Sequence, residues 1–233
     1  MSSQFENITR RHQHFFCPVL KFDPLNEKLI RLDFSENNRE LSVEVFSDTQ
    51  KFAHYLEKKL SAANAKFGIG GYAENRILYN RSELFDQKLP GEEPRRIHLG
   101  IDIWGEAGTP VFAFMGGMVH SLAFNDRFGD YGATMILLHQ LDGFPFYTLY
   151  GHLSLQDISR LIPGNYVSIG QEIAHFGSME ENGHWPPHLH FQVILEIGMY
   201  RGDYPGVARF SEREKCLANS PDPDLILQMM QYV

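Results

Sequence analysis

Three short segments carry the residues best suited to chemistry. In HLGID, His98 and Asp102 stand four apart; in HLHF, His188 and His190 stand two apart; in YGHL, His152 closes the aromatic run FPFYTLY. A spacing of two puts His188 and His190 on one face of a strand and Leu189 and Phe191 on the other. The even offset does the same for His98 and Asp102. Gly100 between them and the alternation of Leu99, Ile101 and Ile103 favour a strand over a helix there. Two imidazoles facing one way from an apolar sheet leave ring nitrogens without partners, and a metal satisfies them. Imidazole and carboxylate are both good Zn²⁺ ligands. Pro186 and Pro187 stiffen the approach to the HLHF pair. Catalytic zinc sites take three protein ligands and keep a fourth position for water, and they need a base and an oxyanion donor nearby. His98, Asp102 and one member of HLHF fit the ligand set; the other member and His152 fit the proton work.

The remaining histidines have plainer readings. His139 reads as a structural residue or a support for the site, His184 as a loop residue beside Trp185, and His120 and His175 as hydrogen-bonded strand residues. His12, His14 and His54 belong to the N-terminal region and form no site of their own. Arg95 and Arg96 read as substrate or surface charges, because a guanidinium stays protonated and does not ligate metal. Tyr131 and Tyr150 read as aromatic core or rim with hydroxyls that can donate.

These residues sit in a chain of ordinary globular character. Its 233 residues, 43% of them hydrophobic, suffice to bury a large core. A formal charge of −8, with no basic run, argues against nucleic acid as a partner. Two cysteines, Cys17 and Cys216, make neither a disulfide framework nor a cysteine-rich zinc site, and read as unpaired thiols. The first residues hold no continuous apolar run, so no signal peptide is expected. Val111 to Phe124 is too short and too broken to span a bilayer. The expectation is a soluble, cytoplasmic protein with no membrane span.

The elements that position the three segments follow from patterning. LSVEVF (41–46) alternates like a strand. A helix is expected over about 48–64, capped by Ser47 or Asp48. KFGIGGYAENR breaks the pattern with its glycines, and RSELFDQKL reads as a helical turn or loop ending at Pro90-Gly91. From Ile97 onward, short apolar runs between glycines (111–114, 118–124, 133–139, 144–150, 166–170, 172–177 and 188–195) predict an all-β sandwich or partly open barrel. One helical turn is expected within 153–162, and a short helix after Ser220 or Asp222.

HLGID, AGTPVFAF-x-x-G-x-V, YGHL, VSIGQEIAHFG and PPHLHF occur together and in order, and over about residues 95–197 the sequence resembles the lysostaphin/LytM-type zinc metallopeptidases. The resemblance implies a duplicated hybrid motif fold: mainly β, a two-sheet antiparallel sandwich, here with an α+β N-terminal extension (1–90), the zinc metallopeptidase β domain (91–198) and a C-terminal helical tail packing on it (199–233). It implies Zn²⁺ on His98, Asp102 and His190, with His152 and His188 as catalytic histidines. His188 is then the preferred general base and His152 the oxyanion stabiliser or proton donor, roles that are exchangeable. The flanking FGIGGY-x-E-x-R-x-LY-x-RSELF and RGDYPGVA segments resemble a subgroup in which this domain sits beside kinase-like and aminotransferase domains. The function implied is hydrolysis of a peptide amide bond, with peptidoglycan stem peptides or cross-links as the default substrate. The alternatives are a non-hydrolytic zinc-containing module that binds cell-wall fragments or a partner enzyme, and a cytosolic hydrolase of a small amide metabolite. A biotinyl or lipoyl carrier is excluded because no lysine lies between Ala107 and Gly177.

Overall fold

The computed structural model of the chain describes residues 1–86 and 91–233; the expected turn at Pro90 lies outside the described residues. The fold is mainly β. Its strands are β1 (Leu29–Arg31), β2 (Phe67–Gly70), β3 (Arg95–His98), β4 (Ile101–Trp104), β5 (Pro110–Phe112), β6 (Gly117–Asn125), β7 (Gly132–Leu141), β8 (Phe144–Leu153), β9 (Tyr166–Val167), β10 (Glu172–His175), β11 (His188–Ile194) and β12 (Val207–Arg209). Eight of them form one sheet in the order β1-β2-β4-β11-β8-β7-β6-β9, while β10–β5 and β12–β3 are separate two-stranded ribbons. All these pairings are antiparallel except β1–β2. The layers are therefore unequal: one broad mixed sheet, with a narrow β5–β10 ribbon as the second layer, in place of two matched antiparallel sheets.

Period-two alternation places the core. Ile101 and Ile103 of β4 and Leu189, Phe191 and Val193 of β11 are buried in one cluster with Val111, Phe114 and Ile173 around the β5–β10 ribbon. The side chains between them, Asp102 and Trp104, His188 and His190, face the opposite side. The β7–β8 hairpin turns at Asp142-Gly143, both at positive φ, as a tight hairpin requires.

The N-terminal region departs from its pattern in two places. LSVEVF is a single turn of helix, α1′s successor in the chain after the opening helix α1 (Ser2–His12): α2 spans Val43–Phe46. Leu41 and Phe46 are buried while Val43 is exposed, so tertiary contacts override the apparent alternation. The glycine-rich FGIG, expected as a break, is strand β2, inserted between β1 and β4. Glycines hide a strand's propensity, and here they admit the close approach of Leu32. Helix α3 (Thr49–Ala63) does follow its pattern: Asp48 caps it by accepting from the N–H groups of Gln50 and Lys51, and Phe52 and Leu56 are buried. The turn within 153–162 is α4 (Leu155–Ile158). In the tail, α5 (Arg213–Asn219) precedes the expected helix, α6 (Asp224–Leu227), where Asp222 Oδ1 accepts from the Asp224 N–H. Pairing crosses the texture-based boundaries at both ends, β2 with β4 and β12 with β3.

HLGID is not one strand. β3 ends at His98 in the small ribbon, and β4 starts at Ile101 in the main sheet. The chain crosses between them at Gly100, where a Cβ would lie 2.5 Å from His190 Cε1 and 2.8 Å from the Phe191 carbonyl oxygen. Only glycine lets the strand pass this close to the His190 ring. Gly100→Ala is expected to cost about 1–3 kcal/mol through overpacking, seen as a lower urea midpoint at unchanged slope; an unshifted midpoint would contradict this crossing.

His139 is a buried core residue. It donates from Nδ1 to the Gly116 carbonyl at 3.0 Å and lies 2.7 Å from Thr148 Oγ1 through Nε2. Burial pushes its pKa down to about 4. Between pH 6.5 and 4 it is neutral when folded and protonated when unfolded, so stability falls with falling pH in that window and is insensitive to this group above it. His139→Asn should flatten the slope there by about one proton, ~1.4 kcal/mol per pH unit, measured by denaturation across pH 4–6.5.

Candidate active site

Strand register assembles the site as a row across the middle of the main sheet. Gly70 of β2 pairs with Asp102 of β4, Asp102 with His190 of β11, and His190 with Gly151 of β8. One step along, Trp104 pairs with His188. His98 arrives from above on β3, held by its N–H to the Glu74 carbonyl at 3.0 Å. His152 closes β8 at φ +62°, a strained conformation for a non-glycine residue. The ring centroids of His152 and His188 are 4.0 Å apart, and those of His152 and His190 6.3 Å. The five sequence-predicted residues thus converge from four strands, and none is more than 5% exposed.

Hydrogen bonds fix where each proton sits. His98 Nδ1 lies 3.0 Å from the Gly71 carbonyl oxygen, which only accepts, so Nδ1 carries the hydrogen and Nε2 the lone pair. Gln192 donates from Nε2 to the Pro205 carbonyl at 3.2 Å and to Ser220 Oγ at 3.0 Å, which turns its Oε1 toward His190 Nε2 at 3.1 Å. His190 therefore carries its hydrogen on Nε2, leaving a lone pair on Nδ1. That atom lies 2.9 Å from His98 Nε2 and 3.0 Å from Asp102 Oδ1, and His98 Nε2 lies 3.3 Å from the same oxygen. Burial, with Arg76 nearby, drives the His98 pKa down to about 3. Burial opposes ionisation of Asp102, but its polar and charged neighbours, His98 and Arg76 first among them, hold its carboxyl well below the usual range.

Three electron-pair donors thus face one another with no hydrogen between them. Left uncompensated, buried acceptors in this arrangement are costly. A cation resolves the conflict. In tetrahedral coordination with bonds of about 2.0–2.1 Å, ligand atoms lie roughly 3.3 Å apart, close to the separations here. The donor chemistry, imidazole, imidazole and carboxylate, fits zinc, and the partners on the far ring nitrogens are those that usually orient metal-binding histidines.

The two other histidines are arranged differently. His152 donates from Nδ1 to the Asn182 carbonyl at 2.7 Å, and His188 from Nδ1 to the Pro186 carbonyl at 2.8 Å, so each keeps its lone pair on Nε2. Burial, with His188 adjacent, holds the His152 pKa well below its ordinary value, and burial lowers that of His188 to about 4. Both are neutral at pH 7 and able to accept a proton. The Trp104 indole stacks on His188 at 3.8 Å and fixes its plane. Asp102, His152, His188 and His190 line a cleft of about 610 Å³, to which residues from the segments 76–85, 124–131 and 200–207 also contribute.

Several residues the sequence reading passed over shape this site. Gln192 orients His190, and the Gly71 carbonyl orients His98. Arg76 is buried against Asp102. Their partners lie far off in sequence, so no local spacing signals them. Tyr131 lines the cleft, its hydroxyl donating to the Tyr204 carbonyl at 3.2 Å. Tyr150 instead packs on Phe191 in the core. Arg95 lines the cleft and bonds the Leu84 carbonyl, whereas Arg96 pairs with Asp86 at 2.6 Å. His184 stacks on Phe128 in an exposed loop, His175 contacts Asp157, His120 contacts Ser121, and His12 contacts Asp142. Cys17 and Cys216 are both free thiols.

Residues 96–200 match peptidase family M23. Among solved structures, the chain is similar to the catalytic domain of the antimicrobial peptidase lysostaphin from Staphylococcus simulans, at 24% identity over 76% of this chain and 97% of that chain, with a TM-score of 0.41. It is similar to a zinc containing peptidase from Vibrio cholerae at 28% identity, over 47% of this chain and 30% of that chain, TM-score 0.35. It is also similar to the catalytic domain of the prophage-encoded M23 protein EnpA from Enterococcus faecalis, at 23% identity over 46% and 75% of the two chains, TM-score 0.35. No curated protein matches the sequence. The matched segment runs from β3 through β11 and contains His98, Asp102, His152, His188 and His190. Through that segment the chain is similar to peptidase family M23.

Proposed function

We propose that the protein is a zinc-dependent metalloendopeptidase that hydrolyses a peptide amide bond, with peptidoglycan stem peptides or cross-links as its substrate. One observation carries the metal: the hydrogen-free convergence of His98 Nε2, Asp102 Oδ1 and His190 Nδ1. The substrate class rests on the resemblance of the five motifs to lysostaphin/LytM-type enzymes. Zinc held by His98, Asp102 and His190 would supply Lewis acidity toward the scissile carbonyl and the attacking water.

The chain's own residues do the rest. The Nε2 lone pair of neutral His188 accepts a proton from the attacking water, its ring held by Trp104 and the Pro186 carbonyl. The proton taken by His188 goes to the leaving amine, directly or by way of His152, whose ring lies 4.0 Å from that of His188 and is fixed by the Asn182 carbonyl. While it holds that proton, His152 hydrogen-bonds the developing oxyanion.

Protein purified without chelator should carry stoichiometric zinc and cleave stem peptides or cross-linked dimers, with products read by mass spectrometry. Chelation should abolish cleavage and zinc restore it. His188→Ala and His152→Ala should keep the metal while lowering kcat by about 10²–10⁴. Full activity in His190→Ala would sink the assignment, and stoichiometric zinc without any cleavage product would favour a non-hydrolytic module.

A further inference from the structure

Arg76 is the only lysine or arginine buried among the described residues, at 1% exposure, and it lies outside the matched segment. Its guanidinium donates from Nη1 to Asp102 Oδ2 and, at 3.3 Å, to the Tyr79 hydroxyl; from Nε to Glu74 Oε2 at 2.8 Å; and from Nη2 to the Gly70 carbonyl at 3.1 Å. The backbone is built to admit it. Gly71 sits at φ +102°, and a Cβ there would lie 1.9 Å from Nη2. The same turn offers the Gly71 carbonyl to His98 Nδ1, so a single Gly-Gly step at the end of β2 receives both the guanidinium and a candidate ligand.

The consequence falls on Asp102. One carboxylate oxygen is occupied by the guanidinium, and only Oδ1 faces the two imidazoles. A carboxylate free to rotate can offer a metal one oxygen or both, and two oxygens would fill the position that substrate or water needs. We propose that Arg76 is a positioning residue of the metal centre: it restricts Asp102 to single-oxygen ligation and thereby keeps a coordination position open. Its charge also offsets that of the carboxylate, which leaves a bound cation less neutralised and more electrophilic. On this view the segment 70–79 is part of the centre rather than an appendage to it. The inference rests on the metal assignment proposed above.

The test uses the full chain, stripped of metal and titrated with Co²⁺, whose visible bands report coordination number. Wild-type protein should give the intense bands of four-coordinate Co²⁺. Arg76→Met should give the weak bands of a higher-coordinate ion. Arg76→Lys, which retains a charged donor for Oδ2, should restore the four-coordinate spectrum, a rescue that a purely structural role does not produce. If circular dichroism shows that Arg76→Met does not fold, Glu74→Gln, which loosens the guanidinium without removing it, carries the test through a partial shift of the same bands. Variant spectra indistinguishable from wild type would overturn the role of Arg76. No binding of Co²⁺ or Zn²⁺ by the wild-type chain would instead overturn the metal assignment beneath it.

Discussion

The lone pairs of His98, Asp102 and His190 meet at the centre of one face of the main sheet, and much of the surrounding structure serves to hold them there. Each is pinned from behind: His98 by the Gly71 carbonyl, His190 by Gln192, Asp102 by Arg76. These partners have partners of their own, Ser220 and Pro205 for Gln192, Glu74 and Gly70 for Arg76. Fixing mutually repelling groups requires such support, because each would otherwise rotate to find a hydrogen.

The sheet supplies the precision. Neighbouring strands sit about 4.8 Å apart, and a shift of one residue in register turns every side chain to the opposite face. The pairing of Asp102 with His190 is therefore enforced by the apolar row on the reverse side, where Ile101, Ile103, Leu189 and Phe191 are almost fully buried. Core and site are two faces of the same strands. A core substitution that loosened β4 against β11 would move the candidate ligands directly, whereas His152 near the end of β8 is held separately by Asn182, whose side chain bonds the Trp185 backbone.

The N-terminal and C-terminal segments take part in this construction. Residues from β2 to Phe85 furnish Arg76, the two glycine carbonyls and part of the lining of the cleft. The tail brings Ser220 to Gln192 and β12 to β3, alongside His98. The cleft is thus a composite of three stretches of chain, and its shape is set as much by the flanking segments as by the central strands.

Much of this was legible without coordinates, for identifiable reasons. Alternation in HLHFQVI fixes which side chains share a face, since period two is a property of the strand itself. Asp48 announces α3 because capping is local. The five His and Asp positions stand out because imidazole and carboxylate at such spacings are chemically conspicuous. What the chain alone withheld is long-range or hidden by glycine. LSVEVF alternates but forms a helical turn, because Leu41 and Phe46 find the same core. HLGID alternates but breaks at Gly100, because the His190 ring occupies the space a side chain would take. FGIG carries no strand signal yet lies within the sheet. Arg76 and Gln192 read as ordinary polar residues until folding buries them against candidate ligands 26 and 2 positions away. Sequence determined the chemistry on offer and the local periodicity. Tertiary structure alone decided where each proton sits, because that depends on which carbonyl, amide or guanidinium meets each ring nitrogen and carboxylate oxygen.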